Sequence, residues 1–375
     1  MSTSQKTHYV DTQAALAACL GNLANHDCVA VDTEFVRERT YYPKLCLIQL
    51  AAGDAIWCID TIAIPNIKPL FDALETPRLL KIFHSARQDL ELFFNHTGHL
   101  PTPLFDTQIA AALLGRPDQI AYAGLVKEYF SLELDKSSSR TDWTNRPLSV
   151  AQVEYAADDV RYLAEIKQFL QDELVERSRQ SWLVEECERL CRVDLYDNDP
   201  DLAWRKVKGI EKLEPKLLAS AVSIAIWRER VAQRRDLPRG WVLKDDRIVA
   251  IARATPQSLA DLSRIDGISP GAIRRDGDEI LNALREDVDE STTARPSAHA
   301  RLSKAGKALV REFLDALATV AAKHQVSSSI IATRRELEFA VRGEESIRFY
   351  SGWRRQLFGE SVQQRIEGSS ENLTL

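Results

Sequence analysis

Three short motifs place acids among apolar residues: VDTEF (31–35), FHSARQDLELF (83–93) and YAADDVRYL (155–163). In the first, Asp32 and Glu34 stand two apart. On a strand their carboxylates leave one face while Val31, Thr33 and Phe35 point the other way. Asp89 follows near the start of a helix, where a first-turn acid is also favoured by the helix dipole. In the third motif Tyr155 and Asp159 are spaced i, i+4 and share a helix face, while Asp158 projects about 100° away from Asp159. Each motif alone is what an ordinary solvated acid would also give. Buried ionised carboxylates without partners are strongly disfavoured, and a cluster of them becomes favourable around hard divalent cations. Taken together in this order, the motifs point to a two-metal phosphodiester hydrolase.

The elements that must position these residues are legible as patterns. Apolar, β-prone runs at 28–35, 44–51, 55–59 and 79–84 read as strands of a mixed α/β domain. Helical spacing follows at Leu90, Phe93 and Phe94, at 106–114 and at 122–129. A long helix is expected from Ser149, its N-cap, into the 170s, with Val153, Ala156, Val160, Leu163 and Leu170 on one side. His84 ends a strand and reads as a structural histidine. Beyond about residue 200 the strand signal fades, and an amphipathic helix is expected at 215–235, followed by short helical pieces around 247–253, 256–265 and 271–284.

The longer stretches are similar to a known family. D-x-E-F, then H-x4-D, then Y-x3-D resemble the DEDD exonuclease superfamily in its tyrosine-bearing subgroup. DTEFVRERTYYPKLCLIQL, LDKSSSRTDWTNRPL and YAADDVRYL resemble ribonuclease D. WRKVKGIEKL, LPRGWVLKDDRIVAIARATPQSLADLSRIDGIS and IRRDGDEILNAL resemble the HRDC domain, and GWRRQLFGESV a divergent second HRDC-like module. The resemblance implies an α/β fold: a ribonuclease H-like exonuclease domain, with a mixed sheet flanked by helices, followed by two small all-α HRDC-type domains. The expected boundaries are 1–199 for catalysis, 200–290 for the HRDC domain, 291–301 for a linker, 302–368 for the second helical domain and 369–375 for a tail.

Carried onto this chain, the resemblance makes Asp32, Glu34, Asp89 and Asp159 ligands of two divalent ions, Mg2+ or Mn2+, and brings Tyr155 to the attacking water. An unperturbed tyrosine, with a pKa near 10, is a poor base at neutral pH, so it is either lowered by adjacent cations or only orients the water. The implied reaction trims RNA from its 3′ end and releases nucleoside 5′-monophosphates. The implied substrates are 3′-extended transfer RNA precursors and other structured small RNAs. The motifs leave two rivals open: a DNA 3′–5′ exonuclease using the same five residues, and a catalytically dead nucleic-acid scaffold.

Charge is uneven: −11 over residues 1–200 and +5 over 201–375, within a total of −6. That split suits a metal-binding front and a nucleic-acid-holding rear, and is also within ordinary scatter. Arg228, Arg230, Arg234, Arg235 and Arg239 form the densest basic cluster, with Arg354 and Arg355 as a second patch. Arg228, Arg234 and Arg235 are candidate phosphate contacts, unless these are simply solvated helix faces. Phe35 either stacks on a terminal base or belongs to the core. The polar start MSTSQKTHYV, the lack of any membrane-length apolar run and six cysteines without a CxxC pair imply a cytoplasmic protein. Neither membrane association nor an obligate protein partner is expected.

Overall fold

The computed structural model describes residues 5–135, 141–210, 213–286, 302–369 and 373. The expected linker lies outside the described residues, as does most of the expected tail. The chain divides into two compact units: Met1–Val36, Leu45–Tyr196 and Ala300–Leu375 form the first, and Arg37–Lys44 with Asp197–His299 the second.

The first unit is built on six strands: β1 (Lys6–Val10), β2 (Cys28–Val36), β3 (Lys44–Ala52), β4 (Ala55–Asp60), β5 (Leu80–Phe83) and β6 (Leu104–Asp106). They lie in the order β1-β4-β3-β2-β5-β6. β1 and β4, β2 and β5, and β5 and β6 pair parallel, whereas β3 and β4 pair antiparallel, so the sheet is mixed. Every residue of β3 after Lys44 is buried, as expected of a strand covered on both faces. The pattern expected β2 to β5 and missed the two edges. β1 is mostly solvated and carries little apolar signal, and β6 is three residues running straight into a helix.

Among the described residues up to Leu190, eight helices belong with the sheet: α1 (Gln13–Leu23), α2 (Lys68–Leu74), α3 (Arg87–Thr97), α4 (Thr107–Leu113), α5 (Tyr122–Phe130), α6 (Val150–Arg161), α7 (Leu163–Glu176) and α8 (Gln180–Leu190). Leu16, Leu90, Ala111, Val160 and Leu170 are wholly buried in the core with Val31, Leu47 and Ile59.

The second unit contains α9 (Pro215–Arg235), α10 (Arg239–Val242), α11 (Asp245–Ala254), α12 (Leu259–Leu262) and α13 (Pro270–Ala283). They surround a separate core that includes Trp204, Val222, Ile251 and Ile280. Tyr41 is part of this unit: its hydroxyl donates to Glu229, and the Arg239 guanidinium lies 4.8 Å from its ring centroid.

The chain then returns to the first unit with α14 (Lys304–His324), α15 (Ser328–Ile331), α16 (Arg334–Val341), α17 (Gly352–Arg354) and α18 (Glu360–Glu367). Phe313, Leu337, Phe349 and Phe358 join the same apolar core as the sheet. Trp353 stacks on Trp182 of α8 at 4.5 Å, nearly parallel. Arg354 is wholly buried, paired with Glu186 and donating to Ile330 O at 2.7 Å. This corrects the expectation of a phosphate-binding patch at Arg354, because its charge is consumed inside the protein. No helix among the described residues is long and apolar enough to cross a membrane, and all six cysteines are free thiols.

Candidate active site

β2 delivers the first two acids by alternation: Asp32 and Glu34 are half-buried on one face and Thr33 is buried on the other. Thr33 does more than fill the core, for its hydroxyl donates to Asp89 Oδ1 at 2.5 Å. Asp89 lies in the first turn of α3 and is 6% exposed. The turn that starts α3 is set by Asp106 at the end of β6, opposite Phe83 of β5. Its carboxylate accepts from the backbone N–H groups of Ser85 (3.2 Å) and Ala86 (2.8 Å). It also caps α4 through Gln108 (2.9 Å) and Ile109 (3.1 Å). Ser85 has a φ of 64°, a left-handed conformation uncommon for serine. His84 is structural, bonded to Thr107 Oγ1 and Ile120 O at 2.9 Å each.

The third motif rides on α6, which Ser149 starts with a capping box closed by Gln152. The expected single long helix is in fact two, divided at Tyr162. The buried Tyr122 of α5 inserts its hydroxyl there, donating to Asp158 O at 2.9 Å and accepting from Tyr162 N–H at 3.1 Å. That hydroxyl occupies the place of one i→i−4 bond, an established cause of helix breaks. Asp158 is drawn aside by Arg161 at 2.6 Å, leaving Asp159 to face β2.

Asp32, Glu34 and Asp159 each offer an oxygen within 4.8 Å of the others. Asp89 lies outside that tight set, yet its charge acts on both Asp32 and Glu34. Tyr155 feels Asp159, Glu34 and Asp32 together. Three of the acids therefore converge, and Asp89 and Tyr155 lie near enough to exchange electrostatic influence with them.

Burial is the largest influence on each acid. It raises Asp32 well above the usual carboxylate range, assisted by Asp89, Asp159 and Glu34. Glu34 is pushed up to about 8 by burial, then by Asp159 and Asp89. Asp89 rises to about 7, burial outweighing the opposing Thr33 bond, and Asp159 to about 7 through burial and Asp158. Among the described residues no lysine or arginine forms an ion pair with any of the four. An all-oxygen donor set without countercharge fits a hard divalent cation. In the metal-free protein Tyr155 is raised by burial, then by the charges of Asp159, Glu34 and Asp32, which favours the protonated phenol.

Within the arginine cluster the expectation fails at Arg228. Arg228 is 2% exposed, with Nη1 on Asp245 at 2.7 Å and on Leu243 O at 3.0 Å, so it cannot reach a phosphate. Arg235 pairs with the buried Asp276 at 2.8 Å, and exposed Arg234 with Glu279 at 3.2 Å. Arg230 and Arg239 likewise meet Asp201 and Glu229. Phe35 is partly buried against the core. Sequence reasoning overlooked Thr33, Tyr122 and Asp106. Only Asp106 left a signal, as an acid immediately preceding a helical pattern.

Residues 7–175 match the 3'-5' exonuclease family and residues 221–284 match the HRDC domain. Ribonuclease D of Nitrobacter hamburgensis is 39% identical over 94% of this chain and 93% of its own length. The chain belongs to the ribonuclease D family. Ribonuclease D of Bartonella henselae is 37% identical, covering 96% of this chain and 89% of that one. The fold matches the crystal structure of Escherichia coli ribonuclease D with a TM-score of 0.86 at 32% identity, over 98% of this chain and all of that one. That protein is described as an exoribonuclease involved in structured RNA processing. As a ribonuclease D, the chain is a hydrolytic 3′–5′ exoribonuclease acting on RNA, in a family that works with divalent metal ions. The DNA exonuclease and dead-scaffold alternatives give way to this.

Proposed function

We propose that this enzyme trims the 3′ trailers of transfer RNA precursors, and of other structured small RNAs, one nucleoside 5′-monophosphate at a time. The observation that carries the reading is the convergence of Asp32, Glu34 and Asp159 within 4.8 Å beside Asp89 and Tyr155. Asp32, Glu34, Asp89 and Asp159 would hold two divalent ions, Mg2+ or Mn2+. Such ions, when bound, acidify water and neutralise charge on the phosphate and the departing oxygen. The protein's own part is positional. β2 and α6 hold three carboxylates at fixed separation, Thr33 aims Asp89, and the protonated Tyr155 orients the water that attacks the last phosphorus. The water oxygen bonds to phosphorus, and the bond to the 3′-oxygen of the preceding nucleotide breaks. The attacking water gives up a proton to solvent, the departing 3′-oxygen takes one up from solvent, and the released nucleotide keeps its phosphate at the 5′ position.

We assign catalysis to residues 1–199 and RNA holding to the helical modules at 200–290 and 302–368, in a cytoplasmic enzyme. The assay is incubation with a 3′-extended transfer RNA and Mg2+ or Mn2+, alongside an EDTA control and DNA of the same sequence. Stepwise shortening with 5′-monophosphate products, on RNA only and lost in EDTA, is expected. Internal cleavage, 3′-phosphate products or equal trimming of DNA would overturn the proposal.

A further inference from the structure

The phenol of Tyr155, on α6, has no hydrogen-bond partner among the described residues, although the charges of Asp159, Glu34 and Asp32 all act on it. Packing must therefore choose between the two staggered χ1 wells that a helix leaves open to a long side chain, since no hydrogen bond does. That wall is Trp143, 3% exposed, whose ring lies 6.2 Å from the Tyr155 ring at an interplanar angle of 33°.

Trp143 belongs to an irregular segment just before α6, and Arg146 holds that segment in place. The guanidinium grips Asp60 at the end of β4 in a two-pronged contact, Nε to Oδ2 at 2.5 Å and Nη2 to Oδ1 at 2.8 Å. Its remaining hydrogens go to three carbonyls: Trp143 at 2.7 Å, Asn145 at 2.8 Å, and Cys46 of β3 at 2.9 Å. Asp60 is 1% exposed and is itself fixed, accepting from the Ile62 and Ala63 N–H groups at 3.0 Å each and from the Tyr9 hydroxyl. A forked charge-assisted pair of this kind is both strong and directional. α6 is tied to the same strand, for the Cys58 thiol donates to Val153 O at 3.6 Å. Trp143 and the helix bearing Tyr155 are thus both registered against β4.

We propose that Arg146 and Trp143 are positioning residues for Tyr155: the Asp60–Arg146 clamp fixes the segment, and the indole fixes the phenol over the acids. This rests on the reading of Tyr155 as the residue that orients water. Among the described residues no hydrogen bond or ion pair joins Arg146 or Asp60 to the four acids, so the clamp would act on hydrolysis through the phenol.

The experiment is a double-mutant cycle, which isolates coupling between two sites. Trp143→Leu and Arg146→Lys are each made with Tyr155 present and in the Tyr155→Phe background. Single-turnover hydrolysis of a short RNA is measured with excess enzyme, together with KM, Tm and calorimetric Mn2+ binding. With Tyr155 present, each variant should lower kcat by about ten- to a hundredfold, the scale expected of a misplaced group. KM and Mn2+ affinity should barely move. In the Tyr155→Phe background the same substitutions should cost less than about twofold, because the group they position is gone. Equal losses in both backgrounds would overturn the brace while leaving the role of Tyr155 intact. Full activity of Tyr155→Phe alone would instead overturn the underlying reading. Failure of both variants to fold would assign the segment to the core and overturn the proposal.

Discussion

The Thr33 hydroxyl donates to Asp89 Oδ1 at 2.5 Å, joining the strand that carries Asp32 and Glu34 to the helix that carries Asp89. The two residues are 56 positions apart. The residue between two candidate metal ligands thus orients a third. Thr33→Val keeps the shape and removes the donor, leaving a buried carboxylate oxygen unpartnered. The expected loss is about 1–3 kcal/mol in urea unfolding of the apoprotein. The Mn2+ concentration needed for half-maximal activity should rise several-fold, checked by titration and calorimetry. Unchanged metal affinity would remove Thr33 from the site.

Tyr155→Phe deletes one oxygen and nothing else. If the phenol orients water, hydrolysis should slow by about a hundredfold or more, in the range of general acid–base groups. Calorimetric Mn2+ binding should be nearly unchanged, since the phenol lies beside the acids without supplying a carboxylate. Full activity would show that the water is oriented by something else.

The acids make the apoprotein pH-dependent in a specific sense. Asp89 and Asp159 are raised to about 7 and Glu34 to about 8, above their unfolded values near 4. The folded state therefore binds more protons than the unfolded one across that window, so these groups subtract stability as pH rises through it. Apoprotein Tm should fall between pH 5 and about pH 8 by more than in the Glu34→Gln variant. Added Mn2+ should stabilise more at pH 8 than at pH 6, because bound cations displace these protons. A flat apoprotein profile would contradict the burial of the cluster.

Glu186 and Arg354 form a buried pair within the first unit, and Glu186 also accepts from the Trp353 indole at 3.1 Å. Removing one partner strands the other charge away from water. Glu186→Ala should cost about 3–5 kcal/mol in urea unfolding, and Arg354→Met combined with Glu186→Leu should recover much of it. The same packing means that deletion of residues 302–375 should uncover the apolar surface around Trp182 and Leu183. Such a truncated chain should bind a hydrophobic dye and unfold at lower temperature, where a module packed independently of the sheet would leave both unchanged.

The candidate site was readable because its spacing follows from backbone geometry alone. D-x-E puts two carboxylates on one strand face, and Y-x3-D puts phenol and carboxylate on one helix face, whatever surrounds them. The long apolar strands were readable for the same reason, whereas β1 and β6 are short edges with little pattern to see.

Pairings between distant residues were decided only by the tertiary structure. The helix break at Tyr162 comes from a hydroxyl 40 residues away inserting into the ladder. Arg228 of α9 looked like a phosphate contact until folding buried it against Asp245. Which of two adjacent aspartates faces the site was settled by Arg161 engaging Asp158. Local periodicity comes from bond geometry and is written along the chain. Charge pairing depends on which groups lose water together, and that is known only once the chain has packed.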